Sequence, residues 1–222
     1  MRPEIAFKLV GRPVKDLYGR QMGYAVGFSI DTTGDVKSIG VDEGTGKFVE
    51  FPAARIISDK DGFIIVPAWK VEGESLTKEI EMIHRRIQSL DDLVKSGEVD
   101  QHLYEKNIQQ YQERLEKIRD SCNNFAAKIN ARIGELDAQE ESINNFLLNL
   151  KIYHKSGEMD EGTYNAQSEY SNAMKARDAR EREELTTIMS VLTSTYSSIG
   201  QKVTPAEEEA VAPVSIHANL GA

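Results

Sequence analysis

Over the first 69 residues, apolar and polar positions alternate in short runs: EIAFKLVGRPV, YAVGFSI, VKSIGV, KFVEF, ARIIS and FIIVPAW. That is the spacing of strands with one buried face. Between the runs stand DLYGRQMG, DTTGD, DEGTG and SDKDG, where Gly19, Gly34, Gly46 and Gly62 can take the positive φ of tight hairpins. Six short strands in so little chain predict a small, curled barrel over residues 1–70 rather than a sandwich.

From Ser75 the period changes. Leu76, Ile80, Ile83, Ile87, Leu90 and Val94 follow at alternating steps of four and three, and Tyr104, Ile108, Tyr111, Leu115, Ile118, Cys122, Phe125 and Ile129 continue the rhythm. This is the apolar seam of a coiled coil. After Ile129 the next apolar position is Ile133, so that Phe125 to Ile129 and Ile129 to Ile133 are two successive steps of four, before Leu136, Ile143, Leu147 and Leu150 resume the pattern. Such a stutter, with Gly134 beside it, predicts a bend or local loosening near 130–135 without ending the helix.

The segment KSGEVDQHLY at 95–104 recurs as KSGEMDEGTY at 155–164. In each copy Gly97 or Gly157 can close the preceding helix in a left-handed cap, and Asp100 or Asp160 can accept hydrogen bonds from the amides that open the next. Val99 or Met159 precedes the cap and can staple onto Tyr104 or Tyr164. Both corners should reverse the chain. The result is three helices, about 76–95, 101–154 and 161–199, folded as successive antiparallel hairpins within a stalk over 75–200. The middle helix would be about 80 Å long, with its two neighbours laid end to end along it, giving a rod two helices thick.

The third helix is poor in large apolar residues through SEYSNAMKARDAREREE but carries Ala166, Ala173, Ala176 and Ala179. Those alanines fit either close helix approach or an exposed polar face. Residues 201–222 form a flexible tail in this reading, because TPAEEEAVA has too little apolar surface to join a core. In PVSIHANLGA that follows, Val214, Ile216, Ala218 and Leu220 alternate with polar residues, the pattern of a strand that adds itself to another protein's sheet edge.

Composition narrows the classes. With 40% hydrophobic and 28% charged residues the chain fits a small core plus elongated structure. FIIVPAW is its longest apolar run and is far too short to span a bilayer, and MRPEIAFKLV lacks the apolar middle of a secretion signal, so a cytoplasmic protein is expected. The net charge of −9 falls mainly on 71–160, with 12 bases against 18 acids, and on 161–222, with 5 against 9. That balance disfavours tight nonspecific binding to DNA or to an anionic bilayer. Arg85 and Arg86 are the only basic doublet on the stalk, and KARDARER at 175–182 reads as a solvated face with internal ion pairs.

No catalytic constellation appears. DEGTGKF has Val41 and Phe48 where a phosphate-binding loop needs a glycine and a hydroxyl residue. Glu81 and His84 make one Glu-x-x-His pair where a di-metal site needs two. Cys122, the only cysteine, falls on an apolar helical position and reads as core. The chain is therefore expected to be no enzyme and to hold no cofactor or metal.

The run GRPVKDLYGRQMGYAVGFSIDTTGDVKSIGVDE, with Gly11, Val14, Asp16, Gly19, Met22 and Gly23 at motif positions, resembles a PRC-barrel domain. Its continuation through FVEFPAARIISDKDGFIIVPAWK into a long charged helix resembles the CdvA family of archaeal cell-division proteins. The resemblance implies an α+β architecture: a PRC-like β-barrel, an antiparallel coiled-coil hairpin stalk and a disordered C-terminal tail. It further implies a scaffold that forms homo-oligomers or filaments and docks CdvB, an ESCRT-III-like protein, through a C-terminal peptide corresponding to 211–220, at the division site on the inner face of the membrane. Membrane-surface association is a further candidate contact, and DNA binding one that the charge does not favour. The alternative is a PRC-barrel adaptor in another assembly, such as RNA processing or nucleoid organisation.

Overall fold

A computed structural model describes residues 10–44, 46–60 and 62–200 of the chain. The elements are β1 (Pro13–Asp16), β2 (Gln21–Ile30), β3 (Val36–Asp42), β4 (Phe48–Pro52), β5 (Ile56–Ser58) and β6 (Phe63–Ile65), then α1 (Ala68–Lys95), α2 (Gln101–Lys155) and α3 (Glu161–Gly200). The chain packs as two units. One joins residues up to Val71 with Ala138–Arg182, and the other joins Glu72–Asp137 with the chain from Glu183 onward.

In the first unit the six strands form one curled sheet in the order β4-β3-β2-β1-β6-β5. Neighbours are antiparallel except β1 and β6, which run parallel with Val14 opposite Phe63 and Asp16 opposite Ile65. Because β4 and β5 are the two edges and are not neighbours, the sheet is a half-barrel. Register shifts within β2, between Ala25 and Gly27 and between Ser29 and Ile30, sharpen its curl. Its concave core is Val14, Ala25, Ile39, Val41, Phe51, Phe63 and Ile65, with Phe28 edge-on to Phe63 at 5.7 Å. Burying each of the larger of these side chains contributes about 2 kcal/mol.

Gly19, Gly34 and Gly46 take positive φ at the turns. Gly62 is required for another reason, since a Cβ there would overlap the carbonyl oxygen of Pro13. DEGTGKF forms the β3–β4 hairpin, with Lys47 paired to Glu43 at 3.0 Å.

Two expectations are corrected at the sheet-to-helix junction. The last strand ends at Ile65 instead of running to Trp69, and α1 begins at Ala68 instead of near 76. Pro67 explains the early start: its fixed φ suits a helix entry, its missing amide costs nothing there, and its carbonyl accepts from Lys70 N at 3.2 Å. Gly73, ahead of the first seam residue read from the sequence, is itself a buried seam residue three before Leu76.

The end-to-end arrangement of the outer helices is also corrected. With 28 residues in α1 and 40 in α3 against 55 in α2, the outer helices together exceed the middle one and must overlap. They do so in the second unit, where Gly73 of α1 faces Phe125 of α2 and Ile188 of α3. A side chain at Gly73 would place its Cβ 2.8 Å from the Phe125 ring and overlap Ile188. The core at this level is three helices thick, built on Ile80, Ile83, Ile87, Leu115, Ile118, Phe125, Ile129, Leu185 and Leu192. Salt bridges Lys128–Glu72 and Arg114–Glu79 hold α1 antiparallel to α2. Through the stutter at 129–136 the helix is uninterrupted; Ile129 and Leu136 are buried, and Gly134 is exposed with nothing near it.

Candidate assembly and docking sites

The two corners share the same backbone closure and the same capping carboxylate. Gly97 (φ 78°) and Gly157 (φ 81°) are left-handed. Gly97 N donates to Val94 O and Glu98 N to Leu93 O, both at 3.0 Å; Gly157 N donates to His154 O at 3.2 Å and Glu158 N to Tyr153 O at 2.9 Å. This is the paired closure that satisfies the last carbonyls of a helix. Asp100 Oδ1 accepts from Leu103 N at 2.8 Å, and Asp160 Oδ1 from Thr163 N at 2.9 Å. Val99 and Met159 are half-buried before their caps. Ser96 and Ser156, unremarked in the sequence reading, each donate to a glutamate two residues on, Glu98 and Glu158.

The copies differ at their tyrosines. Tyr104 donates its hydroxyl proton to Asp91 of α1 at 2.9 Å, and its pKa is raised by burial first and by that carboxylate second. Tyr164 stacks on His154 of α2 at 4.7 Å and 12°. Each tyrosine thus ties its helix to the preceding one, by a hydrogen bond at the first corner and by ring contact at the second. Asp160 alone takes a second bond, from the Thr163 hydroxyl at 2.6 Å. That hydrogen bond, with backbone amides after it, lowers the Asp160 pKa.

The buried face of α3 in the first unit is polar. Ser171, Asp178 and Glu181 are at most 5% exposed, while Ala166, Ala173, Ala176 and Ala179 face solvent. KARDARER is accordingly not a solvated face throughout, since Asp178 and Glu181 within it are buried. Arg20, in the β1–β2 turn, donates to Asp178 at 2.7 Å, to Glu181 at 2.5 Å and to Asp16 at 3.0 Å. Gln139 of α2 donates to the other oxygen of Asp178 at 2.8 Å, while Lys175 and Arg182 reach Glu140 of α2 at 3.5 and 3.2 Å. Asp16 also accepts the amides of Tyr18 and Arg20, which fixes the turn. Burial alone would lower the Arg20 pKa, but Glu181, Asp178 and Asp16 together raise it above its ordinary value. The cluster anchors the sheet to the second helical hairpin and offers no open coordination or reaction site.

Apolar side chains remain exposed near the second corner: Leu148 (57%) and Ile152 (51%) on one side of α2, Phe146 and Tyr153 on another, and Tyr170 on α3. Cys122 is buried, its thiol pushed up to about 11 by burial and then by Glu79. Among the described residues no group of three His, Cys, Asp or Glu could hold a metal ion, and no helix is long and apolar enough to cross a membrane. Val214, Ile216, Ala218 and Leu220 lie outside the described residues.

Comparison with known proteins gives two matches. A family model described as the CdvA-like coiled-coil domain matches residues 68–213, which takes in all three helices and stops one residue short of Val214. A curated relative, Cell division protein A of Sulfolobus acidocaldarius, is 26% identical over 182 residues, covering 82% of this chain and 76% of the relative.

Proposed function

The chain belongs to the CdvA-like coiled-coil family, and from that membership we propose that it serves cell division as a non-enzymatic scaffold. Copies associate into filaments through their helices, and the C-terminal peptide recruits an ESCRT-III-like protein, CdvB, to the division site on the inner face of the membrane. The observation that carries this reading is the family match over the full helical region, joined to a relative whose name is that of a cell-division protein. The exposed Leu148, Ile152, Phe146 and Tyr153 supply apolar surface for contact between copies. Backbone hydrogen bonds to Val214–Leu220 would supply the affinity for the partner's sheet edge.

Sedimentation at rising protein concentration tests the assembly. Pelleting should increase with concentration and fall in the double variant Leu148→Ser/Ile152→Ser; a chain that stays monomeric throughout rules the filament out. Deleting 205–222 should abolish capture of the ESCRT-III-like partner while sedimentation is unchanged. Undiminished capture by that truncated chain would remove the peptide from the reading.

A further inference from the structure

On the α1–α2 face of the second unit lies an open groove lined by Met82, Arg85, Arg86, Leu90, Leu93 and Tyr111. Met82 and Leu93 are 39% and 37% exposed, large apolar side chains left beside two cations. Neither Arg85 nor Arg86 has a carboxylate within ion-pairing distance among the described residues, although Arg114 and Lys128, on the facing helix, each have one from α1. A surface of this kind fits an acidic peptide that also carries small apolar side chains.

The chain contains such a peptide, and α3 delivers it to this place. As α2 numbers fall from Phe125 to Leu115, their α3 neighbours rise from Ile188 to Tyr196. The chain therefore leaves Gly200 heading toward the first corner, alongside the stretch of α2 that holds Tyr111. Beyond Gly200 come VTPAEEEAVAPV, with Glu207, Glu208 and Glu209 between Val203 and Val211. Glu207 is seven residues past the helix end, a reach of about 23 Å when extended. The groove from Met82 to Leu93 is about 17 Å long on the helix rise, so a tail with that reach is long enough to run its length.

We propose that the tail of this chain docks in cis on the Arg85–Arg86 groove, its three glutamates against the two guanidinium groups and its alanines and valines against Met82, Leu90, Leu93 and Tyr111. Docked, the tail holds Val214–Leu220 against its own helices, and a partner must displace it. That consequence rests on the recruitment reading above; the docking itself does not.

The test is a cysteine pair, Ser89→Cys with Ala210→Cys, oxidised with diamide at neutral pH in the full-length chain. Cys122 is buried with its thiol at about 11 and stays out of the reaction. The expected product is an intrachain disulfide. Its rate should fall roughly five-fold or more in Arg85→Glu/Arg86→Glu, since two surface ion pairs become repulsive. It should recover when Glu207, Glu208 and Glu209 are changed to lysine in that background. A rate indifferent to these charges, or a disulfide formed between chains instead of within one, overturns the proposal. Capture of the ESCRT-III-like partner, measured separately on the same variants, shows whether the recruitment reading stands when the docking does not.

Discussion

Arg20 and Asp178 stand 158 residues apart in the chain and 2.7 Å apart in the fold. Two of the three carboxylates that Arg20 holds, those of Asp178 and Glu181, are on residues 3% exposed, so removing the cation leaves buried charge behind. Arg20→Met should destabilise the protein by about 2–3 kcal/mol, less than a fully buried pair would lose because Arg20 itself is partly exposed. Adding Asp178→Asn and Glu181→Gln should return part of that loss. Urea unfolding of the single and triple variants measures both, and a neutral Arg20→Met would mean the cluster does not anchor the sheet.

Two helical glycines should respond oppositely to alanine. Gly73→Ala forces a methyl into Phe125 and Ile188 and should cost about 1–3 kcal/mol, partly relieved by Ile188→Val. Gly134→Ala meets open space and should stabilise by roughly 0.5–1 kcal/mol. Thermal unfolding of both variants separates a packed seam position from a bare one.

Removing the tyrosine hydroxyls should expose the difference between the corners. Tyr104→Phe loses the bond to Asp91 and should cost about 1 kcal/mol. Tyr164→Phe keeps the ring stack on His154 and should be near neutral. Equal losses in denaturant titrations would contradict the assignment.

The second corner should weaken in acid. The Asp160 pKa is lowered from the ordinary 3.8, so the folded state favours the ionised form. Its contribution is complete above the unfolded value and is lost as the pH falls through the lowered one. The amide resonance of Thr163 should report this titration below pH 3.8. Thr163→Val should move the midpoint upward; an unmoved midpoint would show that the hydroxyl is not the main cause.

Cys122 should resist alkylation by iodoacetamide near pH 8, because its thiol titrates at about 11, and react promptly once the protein is unfolded in urea. Rapid labelling of the native protein would place the thiol outside the core.

The parts of the fold most visible in the sequence are those where one local rule acts alone. Gly97 and Gly157 announce left-handed caps, Asp100 and Asp160 announce helix starts, and the four-three steps through Phe125 and Ile129 announce the seam; all are found as read. Where a residue's usual role and its position conflict, the pattern misleads. Gly73 is of a type that weakens helices but is needed where three helices converge. Asp178 and Glu181 look like surface charge, although they continue the four-three steps backward from Leu185 through Ser171 to Tyr164. That continuation is the signal that could have identified them as buried. Their partner, Arg20, lies far off in sequence, and only the tertiary fold can supply it. The Arg85–Arg86 groove likewise depends on Tyr111 arriving from another helix.

The parallel pairing of β1 with β6 has a mechanical consequence. Among the described residues the polypeptide enters the sheet along β1 and leaves toward α1 along β6, the two strands side by side and pointing the same way. Tension applied between the amino terminus and the helices therefore pulls these strands past each other lengthwise. Their slanted, evenly spaced bonds then bear the load together instead of parting one by one.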